Sequence, residues 1–377
     1  MDVFVYGTLR DPALRQAVAG DAGHVTPAIL RGHAVRPVAD DVIPMIVSQS
    51  DAVATGLLWR DLTPDQMDRL ALYEGAHDYA LITVTVALPD GTDAEALMWQ
   101  PPATLMAAPG EWSFEVWQVR CGTVCVAAAT EIFAQETRPS PANLRWQYPV
   151  MLKRAWARHL AAMDRRPADL RHAAGPGDVS VANRAAPLGR FFRLQGFDVT
   201  HSRFDGGRQG PLPREVMVGV DAVMVMPYDP VRDRVVLVEQ IRMGVLERGD
   251  PNPWMLEPVA GMIDAFETPT DSALRETREE AGLDVTLRHV TSHYPSPGNA
   301  TDYFHCFVGF CDLPDLQRYT GGLDSEHEDL ALHVLTLDQA LGHVASGEIA
   351  VGPGITLLYW LALNRDALRL EFAGAAP

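Results

Sequence analysis

Apolar positions along the chain change rhythm twice. From residue 1 to about 102, short β-type runs such as Val3-Phe4-Val5-Tyr6 and Leu81-Ile82-Thr83-Val84-Thr85-Val86 alternate with Gly, Pro and Asp turn signals, which predicts strands. The Pro101-Pro102 pair closes this unit. From about 111 to 165 the spacing becomes helical, with Leu144, Tyr148, Met151, Leu152, Ala155 and Leu160 on one stripe and Pro139 and Pro141 as punctuation. That stretch is a helical connector or an appendage of the first unit. The run from Arg171 to Pro187, centred on Gly175-Pro176-Gly177, has weak periodicity and predicts a linker. After it, Phe191–Leu194, Val216–Val220 and Val235–Val238 are expected as strands, and Asp271–Ala281, Leu337–Ser346 and Ile355–Leu363 as helices.

A chain of 377 residues exceeds what one hydrophobic core usually supports. The expected division is therefore 1–105, a helical connector and linker over 106–187, and a mixed α and β domain over 188–370. A net charge of −18 argues against a nucleic-acid or acidic-membrane surface, since both partners require a positive footprint. No window is long and apolar enough to span a membrane and no leader-like segment opens the sequence, so the cytoplasm is the expected compartment. The four cysteines, Cys121, Cys125, Cys306 and Cys311, are too sparse for a disulfide framework and are expected to be reduced.

The chemistry concentrates in the run from Gly261 to Leu283. Thr268, Pro269 and Asp271 provide an N-cap, a favourable first helical residue and a capping acid, and Gly282 provides a left-handed stop. Between them Glu276, Glu279 and Glu280 share one helical face. Their mutual repulsion and their position near the negative end of the helix dipole are both unfavourable. A solvated acidic face is one explanation; a hard divalent cation, Mg²⁺ or Mn²⁺, would remove both penalties.

These residues match the Nudix box: glycine, five residues, glutamate, seven residues, Arg-Glu, an apolar residue, any residue, Glu-Glu, any residue, Gly and an apolar residue. Thr277, where an apolar residue is usual, is the departure. The resemblance implies an α/β/α sandwich in which Glu276, Glu279 and Glu280, joined by the Ala260 carbonyl, bind metal against a pyrophosphate. It implies that Arg275 orients the carboxylates and Glu267 braces the motif. Bound metal would screen the diphosphate and activate water.

Residues 190 to 365 further resemble the ADP-ribose pyrophosphatase branch, through Val238-Glu239-Gln240-Ile241-Arg242, Pro253-Trp254-Met255-Leu256-Glu257, Ser296-Pro297-Gly298 and Glu326-His327-Glu328-Asp329. Arg242 offers a planar fork for phosphate, with a surface ion pair as the alternative, and Trp254 is expected in the core. Pro297 and Gly298 would line the ribose side. Glu326 is the expected general base and Glu328 the alternate. Arg214 and Glu215 match positions that recognise the adenine or phosphate end. The resemblance implies a homodimer through the Nudix domain, a small nucleotide substrate, and hydrolysis of ADP-ribose to AMP and ribose 5-phosphate. Another nucleoside diphosphate derivative, or nucleotide sensing without turnover, are the alternatives.

In the first unit, Tyr6-Gly7-Thr8-Leu9, Gly56-Leu57-Leu58-Trp59, Leu72-Tyr73-Glu74-Gly75 and Tyr79 resemble the γ-glutamylcyclotransferase-like fold, a small β-barrel with a cavity. The resemblance makes Tyr6, Gly7, Thr8 and Leu9 a substrate loop and Glu74 an acid/base, although many such domains have no known activity. The fusion of the two folds resembles proteins associated with tellurite resistance.

Overall fold

The computed structural model describes residues 1–39, 41–164, 166–323 and 328–373, which form two compact units, Met1–Glu215 and Val216–Pro377. Glu326 lies outside the described residues.

The first unit begins with β1 (Val3–Val5), α1 (Pro12–Ala19), the long hairpin β2 (His24–Pro37) and β3 (Pro44–Arg60), α2 (Pro64–Gly75), β4 (Ala80–Ala87) and β5 (Asp93–Gln100). These strands close into a barrel in the order β1-β3-β2-β4-β5. Closure leaves the barrel no unpaired edge and directs Phe4, Leu30, Ile46, Leu58, Val86 and Met98 into one core. Asp11 caps α1 by accepting from the Leu14 amide, and Thr63 with Gln66 forms a full capping box on α2.

Next come α3 (Phe114–Trp117), a π-helical turn over 118–122, α4 (Thr123–Phe133) and α5 (Pro141–Met163). This helical segment packs on the barrel's helices, α4 against α1 and α5 against α2, as an appendage does. A buried ion cluster ties it to the chain that follows: Glu131 accepts from both Arg154 and Arg193, and Arg154 also donates to the Phe191 carbonyl. The Arg171–Pro187 stretch departs from a plain linker. Val179 and Val181 alternate with small residues and form β6 (Val179–Ala182), which pairs with β7 (Arg193–Ser202) in a three-stranded sheet completed by β8 (Arg208–Val218). The strand is too short to leave a strong periodic signal, and pairing rather than local pattern selects it.

The second unit is built on an eight-stranded sheet containing β9 (Asp221–Asp229), β10 (Arg234–Ile241), β11 (Trp254–Glu257), β12 (Val259–Met262), β13 (Thr286–His293), β14 (Tyr303–Phe310), β15 (Arg318–Gly321) and β16 (Leu330–Thr336). Its helices are α6 (Met243–Glu247), α7 (Pro269–Ala281), α8 (Leu337–Ser346) and α9 (Gly352–Ala373). The main path runs β13-β14-β9-β10-β16-β15, with β14 parallel to β9 and β12 antiparallel to it. Strand β9 is buried almost throughout and β10 over Val235–Val238, as expected for strands covered on both faces, and α8 and α9 pack their Leu337, Ala340, Leu357 and Leu361 against one of those faces. Among the described residues, no helix is long and apolar enough to cross a membrane, and all four cysteines are free thiols.

Candidate active site

Helix α7 is held at both ends by the residues that predicted it. The Thr268 side chain accepts from the Asp271 amide, Pro269 occupies the first turn, and Gly282 takes a left-handed conformation at φ 66°. The Asp271 carboxylate accepts from the Thr268 hydroxyl instead of reaching the N-cap amide, so the capping box is only half formed. Thr277, the departure from the motif, is fully buried and donates its hydroxyl to the Ala273 carbonyl at 2.7 Å. Satisfied within its own helix, it packs where an apolar residue would.

The acidic face of α7 lies against β12. Arg275 is its hub: Nε donates to Glu267 Oε1 at 3.1 Å, and Nη1 donates to Glu276 Oε1 at 2.8 Å and to Glu279 Oε2 at 2.9 Å. Arg275, expected to orient the carboxylates, thus lies between Glu276 and Glu279 on one side and Glu267, expected to brace the motif, on the other. Burial alone would lower the Arg275 pKa, but the hydrogen bonds it donates to Glu267 and Glu279 and the charge of Glu276 raise it, so the guanidinium stays charged. Glu280 is the buried member, 2% exposed, and its Oε2 accepts from the Ala260 amide at 3.1 Å. Burial, followed by the charges of Glu328, Glu276 and Glu257, pushes its pKa up to about 9.

Gly261 explains how the helix and strand approach so closely. A β-carbon on residue 261 would fall 1.9 Å from Glu276 Cδ and 2.0 Å from its Oε1, so only glycine lets this carboxylate lie on the strand backbone. The donor set suits a hard divalent cation: carboxylate oxygens, brought by the fold beside a backbone edge, with more negative charge than one guanidinium cancels. Among the described residues, no three acidic, His or Cys groups converge into a preformed cage. Glu276 and Glu279 are instead each engaged by Arg275.

The other expected residues divide into those near this face and those elsewhere. Glu328 is close enough to raise the Glu280 pKa, and its Oε2 accepts from the Leu323 amide at 3.4 Å. Arg242, just past β10, donates from Nε to Glu257 at 2.7 Å, an ion pair whose acid is buried rather than on the surface as the alternative expected. The β10–β11 register sets Glu257 opposite Val238 and Trp254 opposite Ile241, so the long Arg242 side chain reaches back along the strand to make this pair, and no sequence signal marked it. Trp254, expected in the core, is 53% exposed, because it starts an outer strand and pairs only with Ile241. Pro297 and Gly298 sit in an exposed turn closed by the Asn299 and Ala300 amides on the Ser296 carbonyl, and the turn is tied to residue 217 by the Met217 amide on Asn299. Arg214 and Glu215 are exposed on β8 in the first unit, where Arg214 donates to the Pro213 carbonyl.

In the first unit, Tyr6, Gly7, Thr8, Leu9 and Glu74 line one cavity of about 60 Å³, so the barrel brings together the loop and the acid that the sequence placed far apart. Tyr6 is anchored by its hydroxyl, which donates to the Trp99 carbonyl at 3.1 Å. Removed from bulk water, the Glu74 carboxyl is pushed up to a pKa of about 7. His77, Cys125 and Tyr148 also line the cavity and were missed: the first lies just past the motif, and the other two belong to the helical segment.

Comparison with known proteins assigns both units. The family described as "NUDIX domain" matches residues 219–351, and "Gamma-glutamyl cyclotransferase, AIG2-like" matches residues 3–114. The chain belongs to the Nudix hydrolase family, with an AIG2-like domain ahead of the Nudix domain. Its relatives include the ADP-ribose pyrophosphatase of Haemophilus influenzae, 37% identical over 195 residues that make up 51% of this chain and 89% of that protein. The ADP-ribose pyrophosphatase of Escherichia coli K12 is 37% identical over 200 residues, 53% of this chain and 95% of that protein. The GDP-mannose pyrophosphatase of Citrobacter koseri is 31% identical over 166 residues, 44% of this chain and 84% of that protein.

Proposed function

We propose that this protein hydrolyses the pyrophosphate bond of ADP-ribose, giving AMP and ribose 5-phosphate, at the α7–β12 face. The observation that carries this reading is the Glu276 carboxylate lying on the Gly261 backbone, in a place no β-carbon could share, with Glu280 held beside it by the Ala260 amide. Such a face is costly to assemble unless it has a cation to hold. Glu276, Glu279 and Glu280 with the Ala260 carbonyl would hold Mg²⁺ or Mn²⁺, which when bound polarises phosphoryl oxygens and makes its water more acidic. Arg275 keeps two of these carboxylates aligned. Arg242, with Nε engaged by Glu257, offers its terminal nitrogens to a phosphate. Glu326 accepts the proton of the attacking water, with Glu328 as alternate. Pro297, Gly298, Arg214 and Glu215 complete the nucleotide and ribose contacts.

The 37% identity to two ADP-ribose pyrophosphatases supports this substrate, and the 31% identity to a GDP-mannose pyrophosphatase supports a nucleotide sugar as the second reading. Incubating the full chain with each compound and Mg²⁺ or Mn²⁺, then separating products, decides between them. AMP with ribose 5-phosphate is expected; GMP with mannose 1-phosphate at a higher turnover would favour the second reading, and no nucleotide product with either metal would overturn both.

We further infer a functional division at 1–105, 106–187 and 188–370, a homodimer through the Nudix domain, and residence in the cytoplasm away from nucleic acid and membranes. Light scattering on the purified chain tests the dimer. For the first domain we infer that Glu74 takes the proton of the α-amino group of a γ-glutamyl amide; the amine closes on the γ-carbonyl, the γ-amide C–N bond breaks, and Glu74 returns the proton to the departing amine as 5-oxoproline is released. Release of 5-oxoproline that survives Glu74→Ala would refute that role.

A further inference from the structure

The β13–β14 hairpin of the second unit carries a hydrogen-bonded chain that the pyrophosphate reaction does not use. Ser292 stands opposite His305 across the hairpin. Its Oγ lies 3.1 Å from His305 Nδ1 and 2.8 Å from His289 Nε2, and His305 Nε2 lies 3.4 Å from Asp221 Oδ2. In a regular strand, residues three apart point to opposite faces, so His289 and Ser292 should not meet. A bulge between His289 and Thr291 inserts one residue and returns both side chains to the same face. Asp221 comes from a third strand: β9 runs parallel to β14 with Val223 beside His305, which puts the buried Asp221 on that face as well.

The buried end fixes the direction of the chain. A carboxylate only accepts, so the bond to Asp221 places the His305 proton on Nε2 and leaves Nδ1 to accept from the Ser292 hydroxyl. That hydroxyl has one proton to give, so His289 donates to Ser292 from Nε2. Acid, imidazole and hydroxyl thus stand in the order in which an oriented imidazole takes the proton of a serine as it attacks. Ser292 is half-buried and His289 exposed, so the hydroxyl is reached from solvent. Tyr303 meets His305 edge-on at 5.1 Å and Phe307 meets His289 edge-on at 5.4 Å, which steadies both imidazoles and gives the hydroxyl apolar flanks. Asp302 lies close enough to Asp221 for their charges to oppose each other, so the surroundings favour an uncharged substrate over an anion.

We propose that Ser292, with His305 as its base and Asp221 as the positioning residue, is the nucleophile of a second site that cleaves small uncharged carboxylic esters. Ser292 Oγ bonds to the acyl carbon while His305 Nδ1 takes the hydroxyl proton; the acyl C–O bond then breaks, and His305 returns the proton to the departing alcohol. Water attacks the acyl-serine by the same proton route, releasing the carboxylic acid and restoring Ser292. His289 Nε2–H, beside the nucleophile, is placed to donate to the oxygen that takes up charge. None of the residues assigned to the pyrophosphate reaction takes part, so neither reading stands or falls with the other.

The test mixes the full chain with para-nitrophenyl acetate in EDTA and follows nitrophenolate release by stopped flow, while a second sample is treated with a fluorophosphonate and the modified peptide is located by mass spectrometry. A burst of nitrophenolate and a phosphonyl group on Ser292 are expected, and EDTA should not suppress them because the proton acceptor is an imidazole. Ser292→Ala should abolish both signals. Asp221→Asn, whose amide donates to Nε2 and drives the ring proton to Nδ1, should slow acylation by roughly a hundredfold or more. Nitrogen NMR of His305 should show that change of tautomer, which loss of a merely structural contact would not produce. If Asp221→Asn does not fold, His305→Gln should give the same loss of rate. A burst that survives Ser292→Ala, a label on another residue, no label at all, or undiminished acylation in whichever of Asp221→Asn and His305→Gln folds would overturn the proposal.

Discussion

Glu280 in the second unit and Glu74 in the first are both carboxyls raised above their ordinary range by burial, to about 9 and about 7, but they keep different company. Around Glu280 stand Glu257, Glu276 and Glu328, whose charges add to the cost of burial, with Arg275 engaging Glu276 and Glu279 nearby. Around Glu74 stand the phenols of Tyr6, Tyr73, Tyr79 and Tyr148. In the first case one multivalent cation would relieve several groups together, which is why a metal is proposed there. In the second a single proton relieves one group, which is why acid/base chemistry is proposed there. The same functional group is given different work by the number of like charges around it.

Glu280→Gln should break the comparison most severely. It removes a ligand oxygen without removing volume, and several kcal/mol of lost transition-state stabilisation corresponds to a fall in turnover of roughly two to four orders of magnitude. Circular dichroism should be unchanged; near wild-type AMP release would remove Glu280 from the metal site. Gly261→Ala comes next. Its added methyl must displace the Glu276 carboxylate, so activity should fall roughly a hundredfold and stability by about 1–3 kcal/mol. A fully active, equally stable variant would show that the close approach of α7 to β12 is not required.

Glu74 gives a smaller effect that depends on pH. Its folded value of about 7 lies above the ordinary 4.5, so the folded state holds the proton more tightly than the unfolded chain. The associated stability is complete below about 4.5 and is lost as pH rises through 7. Glu74→Gln stays neutral, and should therefore gain on the wild type by about 2 kcal/mol between pH 4 and pH 9, allowing for water that reaches the carboxyl. Urea unfolding at the two pH values measures this, and an equal difference at both would mean that Glu74 is not held in an apolar setting. Thr277→Val should do least. The lost hydroxyl bonds only to its own helix, so stability and turnover should change by less than about 1 kcal/mol, measured by thermal unfolding and product release. A larger loss would mean that the hydroxyl supports the acidic face.

Much of this arrangement could be anticipated because its signals are local. A Thr-Pro start, a Gly stop and three glutamates at helical spacing define α7 and its charged face without reference to any other element, and Leu337–Ser346 is a helix with the expected bounds. The strand starting at Val3 and the one over Ala80–Ala87 were equally clear, since turn residues bound them, whereas the 14- and 17-residue strands β2 and β3 and the helices α1 and α2 were not foreseen among the short runs. The β6 strand was not, because four residues carry too little pattern and their pairing partner on β7 lies well downstream in the chain. Trp254 failed for a related reason: residue type suggests burial, but whether a strand is covered depends on its neighbours in the sheet.

Residue identity and spacing alone singled out the groups proposed to carry the chemistry, because caps, helical periodicity and motif spacing act over a few residues. Folding settled the company those groups keep: the Arg242–Glu257 pair, the Glu276 carboxylate on the Gly261 backbone, and the Tyr148 ring in a wall shared with Tyr6 and Glu74. Such contacts join positions far apart in the chain, and their energies depend on burial and on neighbouring charge, neither of which exists until the sheet and the barrel have closed.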